Sequence, residues 1–251
     1  MKIVVLGGTG LIGSRLVIAL AEEGHAVIAA SPKSGVNTFT AEGLTAAVEG
    51  AEVVVDVTNS PSLDDDAVVA FFEASASNIA KAEVGAGVRH HVALSIVGVD
   101  RLSDGGYFRG KIAQEKIIEG FPVPFTIVRA TQFFEFIGGI AQRATKRNVV
   151  HLPPVLFQPM AADEMVGFLA RTAVGPPING VIEIAGPRPH RLDQLVREYL
   201  GARGDLPPVI ADPKAPYSGA RLDERTLLPD GNATLGVIAF DDWLKVSSVT
   251  P

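Results

Sequence analysis

The chain opens MKIVVLGGTGLIG, and this stretch constrains the fold more than any other. Lys2–Leu6 is a short apolar run of β-branched character, which reads as a buried strand. Gly7, Gly10 and Gly13 follow at once, and then a helical pattern over Ser14–Glu23. A buried strand that turns through glycines into a helix makes an anion site. The missing side chains let the backbone approach a pyrophosphate, and the free N–H groups and dipole of the helix start face it. Gly7, Thr9, Gly10, Leu11, Ile12 and Gly13 are therefore candidate contacts to a dinucleotide.

After Gly24 the run His25–Ala30 reads as a second buried strand. An NAD-type site places a carboxylate near the end of this strand, against the ribose 2′-hydroxyl. Here Ala29, Ala30, Ser31, Pro32, Lys33 and Ser34 follow, and the first acid is Glu42. A hydroxyl at Ser31 and an ammonium at Lys33 match a 2′-phosphate better, and Arg15 adds a second positive charge. The cofactor expected is NADP(H), with NAD(H) as the alternative; an ordinary solvated loop is the competing account of Lys33.

Val36–Thr40 is read as a short strand and Ala41–Glu49 as a helix. Ala51–Val57 is a Val-rich strand of the kind buried on both faces in parallel sheets. The residues at its carboxyl end, Val57, Thr58 and Asn59, are candidate cofactor contacts and equally candidate loop and cap residues. Asp64–Asp66 begin a helical pattern to about Ala86, where capping and the helix dipole account for carboxylates, so no metal site is expected. His91–Val97 is the next strand. His90 and His91 are adjacent, so they point to opposite faces and cannot jointly chelate; they are read as a solvated strand entrance. Phe125–Arg129 and Val181–Ala185 add further strands. Strand and helix alternate, which predicts a parallel, doubly wound α/β sheet of Rossmann type.

The most informative interior stretch is SIVGVDRLSDGGYFRGKIAQE, Ser95–Glu115. Ser95 lies near the carboxyl end of its strand, where such sheets present their chemistry. Tyr107 follows, and Lys111 stands four residues beyond it within the helical stretch Phe108–Glu119, on the same helix face. A phenol of pKa ~10 is a weak acid-base catalyst at neutral pH, and a nearby ammonium lowers that pKa. Lys111 also suits the nicotinamide ribose. The Ser95 hydroxyl suits a carbonyl that becomes an alkoxide as hydride arrives. Ser95, Tyr107 and Lys111 are the candidate catalytic group. The competing account is a half-exposed tyrosine beside a surface lysine.

These residues carry a resemblance. GGTGLIG at Gly7–Gly13, the strand-terminal Ser95, the Tyr107–Lys111 spacing with Glu115 four residues on, and FTIVRATQFFEF at Phe125–Phe136 are similar to the short-chain dehydrogenase/reductase superfamily, in its extended or atypical branch of NmrA-like and epimerase-like proteins. The resemblance implies a Ser–Tyr–Lys catalytic group at Ser95, Tyr107 and Lys111. It also implies a nicotinamide-side loop around Ala130, Thr131, Gln132 and Phe133, in which Ala130 and Thr131 meet the cofactor. Gln132, Phe133 and Phe134 are the candidate substrate contacts. Phe133, Phe134 and Phe136 serve either as an apolar pocket wall or as core residues of the next helix. Many NmrA-like regulators lack the tyrosine, so its presence leans toward an enzyme. Two positions depart from the pattern: no acid stands where relatives place one against the adenine, and Ala130 replaces a frequent proline.

From about His151 the chain is less regular, and by the same resemblance it forms a small substrate-binding cap. The division expected is a dinucleotide-binding domain over 1–150 and a cap over 151–251, intertwined as one compact unit. Leu152–Met160 is a candidate substrate loop, Asp163–Thr172 and Leu192–Leu200 are helices, Pro207–Pro216 is an extended linker, and Leu235–Leu244 anchors the tail through the only tryptophan, Trp243. The cap carries no obvious arginine cluster for a diphosphate.

Composition narrows the class. The chain has 251 residues, 47% hydrophobic and 20% charged, enough for a well-buried α/β domain and too apolar for disorder. A net charge of -6 argues against nucleic acid or an anionic membrane as partner. There are no cysteines, which excludes disulfides and thiolate chemistry. With no signal peptide and no apolar run near the ~20 residues that span a bilayer, a cytoplasmic monomer or homodimer is expected. The function expected is NADPH-dependent reduction of a small apolar carbonyl or quinone-like substrate. The alternatives are a non-catalytic NADP(H) sensor of NmrA-like type and a nucleotide-sugar epimerase or dehydratase.

Overall fold

The computed structural model describes residues 1–102, 104–204 and 207–247. In its first half the elements are β1 (Lys2–Leu6), α1 (Leu11–Glu22), β2 (Ala26–Ala30), α2 (Leu44–Val48), β3 (Val53–Asp56), α3 (Asp65–Ala86), β4 (His90–Ile96), α4 (Gly106–Gly120) and β5 (Phe125–Ala130). There follow α5 (Ile137–Arg143), β6 (Thr145–Lys146), β7 (Val149–Leu152), β8 (Leu156–Phe157), α6 (Ala162–Val174) and β9 (Gly180–Ala185). The last are β10 (His190–Arg191), α7 (Leu192–Ala202), β11 (Val209–Ala211), β12 (Thr234–Leu235) and α8 (Phe240–Ser247).

Seven strands form a sheet in the order β12-β9-β5-β4-β3-β1-β2. The pairs β1–β2, β1–β3, β3–β4 and β9–β12 run parallel. The predicted Rossmann-type α/β fold is therefore present. From β1 the chain moves outward to β2 and returns to the other side of β1 for β3, so the strand order reverses between β1 and β3. Ligands in open α/β sheets bind outside the carboxyl ends of strands at such a switch point.

By internal contacts the chain divides into two compact units. The first is Met1–Ser95, Gly106–Arg129 and Met165–Ile182; the second is Ile96–Gly105, Ala130–Glu164 and the chain from Glu183 on. In the first unit Ile3, Val4, Val5 and Leu6 of β1 are each fully buried, as a central strand covered on both faces requires. Helix α1 buries Ile12, Leu16 and Leu20, spaced four apart on one stripe. Helix α3 is capped by Asp64, whose Oδ1 accepts the Ala67 N–H at 3.0 Å, and it ends at Gly87 with φ 69°. The acidic run at Asp64–Asp66 thus does the capping the sequence suggests.

Three sequence readings need correction. No strand forms over Val36–Thr40. The Asn37 side chain accepts the Phe39 and Thr40 N–H groups, and Asn78 donates to the Thr38 and Phe39 carbonyls, so side chains satisfy this backbone in place of a ladder. The linker at Pro207–Pro216 contains β11, which pairs in parallel with β7. His90 and His91 are not solvated: they are 3% and 4% exposed. They do point to opposite faces, but both faces of this strand are covered. His90 Nε2 meets Thr126 Oγ1 at 3.0 Å, and His91 Nδ1 meets Glu83 Oε1 at 2.6 Å.

Candidate active site

At the end of β1 the backbone turns with Gly7 at φ 82°. The Gly7 and Gly8 N–H groups donate to the Ala30 carbonyl at 2.9 and 3.1 Å, which fastens the turn to the end of β2. A Cβ on Gly7 would stand 2.8 Å from the Val57 carbonyl oxygen, so the loops after β1 and β3 meet at the switch point. A Cβ on Gly13 would fall 2.2 Å from the Gly7 oxygen, so helix α1 seats directly on the turn. Gly10 differs: its nearest such contact is 3.3 Å away, and it caps α1 without a side-chain hydrogen bond or an acid in the first turn. The helix start is thus left to other acceptors, and its exposed Thr9–Gly10 face suits a pyrophosphate. Among the other candidates Leu11 is half-buried and Ile12 is core.

Beyond β2 a single 3-10 turn covers Pro32–Ser34. Ser34 Oγ accepts the Ser31 N–H at 2.9 Å, and Lys33 is exposed. The Ser31 side chain closes a capping box with Ser34 by facing its backbone N–H, and its buried hydroxyl proton has no acceptor among the described residues. A buried polar atom without a partner is costly, and a ribose or phosphate oxygen would satisfy it. Arg15 is half-buried in the second turn of α1.

Two buried polar networks lie at the carboxyl ends of β3 and β4. In the first, Thr58 donates its N–H and hydroxyl to Asp56 Oδ1 at 2.9 and 2.6 Å. Asp56 Oδ2 accepts from Gln114 Nε2 at 2.7 Å, and Gln114 Oε1 accepts from Lys111 Nζ at 2.5 Å. Lys111 also donates to the Leu94 carbonyl at 2.7 Å and lies over the Phe72 ring at 4.8 Å. Burial lowers the Lys111 pKa to about 8 against the opposing charges of Asp56 and Glu115. In the second network Ser95 Oγ donates to Glu115 Oε1 at 2.5 Å, and Arg129 grips both Glu115 oxygens at 3.1 and 2.7 Å.

Tyr107 stands in the first turn of α4, half-buried, its ring edge-on to Phe72 and Phe108 at 5.8 Å each. The same Phe72 ring touches Lys111, so this phenylalanine lies against both members of the i, i+4 pair. Gly110 makes room for it, since a Cβ there would be 2.7 Å from Phe72 Cδ2. The structure thus brings Lys111 to the β3 loop through Asp56 and Thr58. It directs the Ser95 hydroxyl to Glu115. Val57 and Thr58 are half-buried and Asn59 is exposed.

In the second unit Ala130 and Thr131 are buried, and Thr131 N–H donates to the Ile184 carbonyl at 2.9 Å. Thr131 Oγ1 and Gln132 Oε1 are buried without partners among the described residues. Phe133 is 7% exposed, Phe134 fully buried and Phe136 45% exposed, so core packing accounts for Phe134. A cleft of about 450 Å³ elsewhere in this unit holds Arg188, His190, Arg191, Glu198 and Asp241 in its lining. Arg188 is paired with Asp241 and Arg191 with Glu224, at 3.1 and 2.7 Å.

Sequence reasoning passed over Asp56 and Gln114. A signal was present: an aspartate inside VVVDV must be paired if that strand is buried. Among the described residues no helix is long and apolar enough to cross a membrane.

A family model described as NAD(P)H-binding matches residues 7–149. Solved structures of similar fold include a short-chain dehydrogenase/reductase superfamily protein from Agrobacterium tumefaciens with bound NAD. It is 16% identical at a TM-score of 0.73, over 99% of this chain and 96% of that one. UDP-glucose 4-epimerase from Thermotoga maritima, with UDP-glucose, is 16% identical at 0.69, over 99% and 97%. A double mutant of dTDP-glucose 4,6-dehydratase from Streptomyces venezuelae, with NAD bound, is 14% identical at 0.73, over 99% and 96%. At these identities the likeness is one of fold. No curated protein matches the sequence.

Proposed function

The chain belongs to the NAD(P)H-binding family, and from that premise we propose that it is an NADPH-dependent reductase of a small apolar carbonyl or quinone-like compound. One observation carries the reading. Tyr107 stands one helical turn before Lys111, whose ammonium is fixed beside the carboxyl end of β4 by the Leu94 carbonyl. In this reading the turn Gly7–Gly13 and the start of α1 hold the pyrophosphate. Ser31 and Lys33 face the adenine ribose, where a 2′-phosphate meets an ammonium and no carboxylate. Ala130 and Thr131 serve the nicotinamide side, and Gln132 and Phe133 the substrate.

The bound nicotinamide supplies the hydride. Tyr107 gives its phenolic proton to the substrate oxygen as charge develops there. The Lys111 ammonium, one turn away, stabilises the phenolate left behind. The Ser95 proton is directed at Glu115, so Ser95 meets the substrate oxygen as a donor only after releasing that carboxylate.

That engagement favours a second reading, a dinucleotide-binding sensor without turnover. Ser95 spends its one hydroxyl proton, and Lys111 two of its three ammonium protons, on protein partners. A nucleotide-sugar epimerase is supported less, because both arginines of the second-unit cleft are already paired with acids.

The deciding experiment follows NADPH oxidation against quinones, ketones and aldehydes, with NADH in parallel and Tyr107→Phe as control. Turnover abolished by the substitution supports the reductase. Tight NADPH binding with no turnover on any of these compounds overturns it in favour of the sensor.

A further inference from the structure

We propose that Gln114 is the positioning residue of the Tyr107–Lys111 pair: its amide joins the Lys111 ammonium to the Asp56 carboxylate and fixes the lysine at the end of β4. The inference rests on the reading of Tyr107 and Lys111 as the catalytic pair.

The three side chains are sealed from solvent, at 1% exposure for Asp56, 2% for Gln114 and 3% for Lys111. The amide has one orientation available. Its NH2 faces a carboxylate at 2.7 Å and its oxygen faces an ammonium at 2.5 Å. Turning it over would set NH2 against ammonium and oxygen against carboxylate, two repulsive contacts in a low-dielectric site. Asp56 is held in turn by Thr58 on its other oxygen, so the row Thr58–Asp56–Gln114–Lys111–Leu94 is satisfied at each link. It runs from the loop after β3, across α4, to the backbone of β4.

Among the described residues these groups face Lys111, with Tyr107 one turn before it on α4. β3 contributes Asp56, β4 the Leu94 carbonyl, α3 the Phe72 ring, and α4 itself contributes Gln114 and Glu115, the latter already paired with Arg129. A carboxylate touching the ammonium directly would keep it charged far above neutrality. Here a neutral amide stands between the two charges, and burial lowers the lysine pKa to about 8 against the pull of Asp56 and Glu115. Without Gln114 the ammonium keeps its burial and loses its side-chain acceptor, while Asp56 is left with an unpaired buried oxygen.

The test titrates Lys111 by NMR in the full chain labelled with 13C-lysine, the signal being assigned by its loss in Lys111→Met. In Gln114→Leu the midpoint falls by one pH unit or more, a tenfold rise in acid dissociation. In Gln114→Glu, which restores an acceptor oxygen, it returns to the wild-type value or above. Folding is checked by circular dichroism. If Gln114→Leu does not fold, Asp56→Asn serves, and its midpoint falls because the charge behind the amide is gone. A folded Gln114→Leu, or Asp56→Asn in its place, that titrates at the wild-type midpoint overturns the proposal. The alkaline limb of kcat/KM moves with the NMR midpoint where the wild type turns over. Where it does not, the reductase reading fails while the titration still decides the role of Gln114.

Discussion

His91 Nδ1 lies 2.6 Å from Glu83 Oε1, with both side chains sealed between the sheet and α3. Burial opposes a charge on this ring, but the charge and hydrogen bond of Glu83, with Asp56 behind them, outweigh it, and the pKa is raised above 6.5. A histidine whose folded pKa is raised contributes stability in full below the unfolded value. That contribution is lost as pH rises through the folded value. Urea unfolding of the wild type should therefore show stability declining above pH 6.5, and Glu83→Gln should remove that slope. His90, its neighbour, behaves in the opposite sense. Burial, with the charge of His91, lowers its pKa to about 4, so its contribution is present above 6.5 and lost as pH falls toward 4.

The glycines of the first turn separate stability from binding. Gly13→Ala drives a Cβ into the Gly7 backbone oxygen and should cost at least about 2 kcal/mol in urea melts. Gly10 has φ -81°, which alanine adopts freely, and more space around it. Gly10→Ala should melt within about 1 kcal/mol of wild type yet bind NADPH at least about tenfold more weakly, as a methyl enters the pyrophosphate face. Fluorescence titration with NADPH reads the second effect, and equal affinity would remove the pyrophosphate from this turn.

Cofactor choice should rest on Lys33. Its ammonium is exposed and no acid stands between β2 and Glu42, so Lys33→Ala should weaken NADPH by about tenfold and leave NADH unchanged. Parallel titrations with both dinucleotides test this. An equal loss for both would show that the lysine does not meet a 2′-phosphate.

In the second unit Glu135 holds two donors at once, the Trp243 indole at 3.2 Å and the Ala162 N–H at 3.1 Å. It therefore caps the start of α6 and fastens α8. Glu135→Ala should cost about 1–3 kcal/mol, read from urea unfolding by the fluorescence of the only tryptophan. An unchanged midpoint would reduce Glu135 to a surface acid.

The sheet and the glycine turn were legible because their signals are local. An apolar run beside three glycines specifies strand, turn and helix without help from distant residues. The alternation of strand and helix likewise forecast the parallel order. What escaped reading depends on partners far along the chain. Gln114 and Asp56 are 58 residues apart, and Ser95 and Glu115 are 20 apart. No spacing rule joins them. The histidine pair failed for a different reason: opposite faces were inferred correctly, but a central parallel strand has no wet face. The strand expected at Val36–Thr40 is absent because the side-chain amides of Asn37 and Asn78 bind that backbone from the side.

The first unit is assembled from three separate stretches, and the last of them, Met165–Ile182, begins only after the second unit has taken Ala130–Glu164. This ordering bears on biosynthesis. As the chain leaves the ribosome, the glycine turn and its strands emerge first, yet their unit cannot close until residues beyond Met165 have been made. A nascent chain stalled short of that point lacks one of the three stretches of its first unit, and such incomplete units are aggregation-prone. Completing the first unit is thus tied to synthesis of most of the polypeptide, and a short N-terminal fragment should not compete with the finished protein for NAD(P)H.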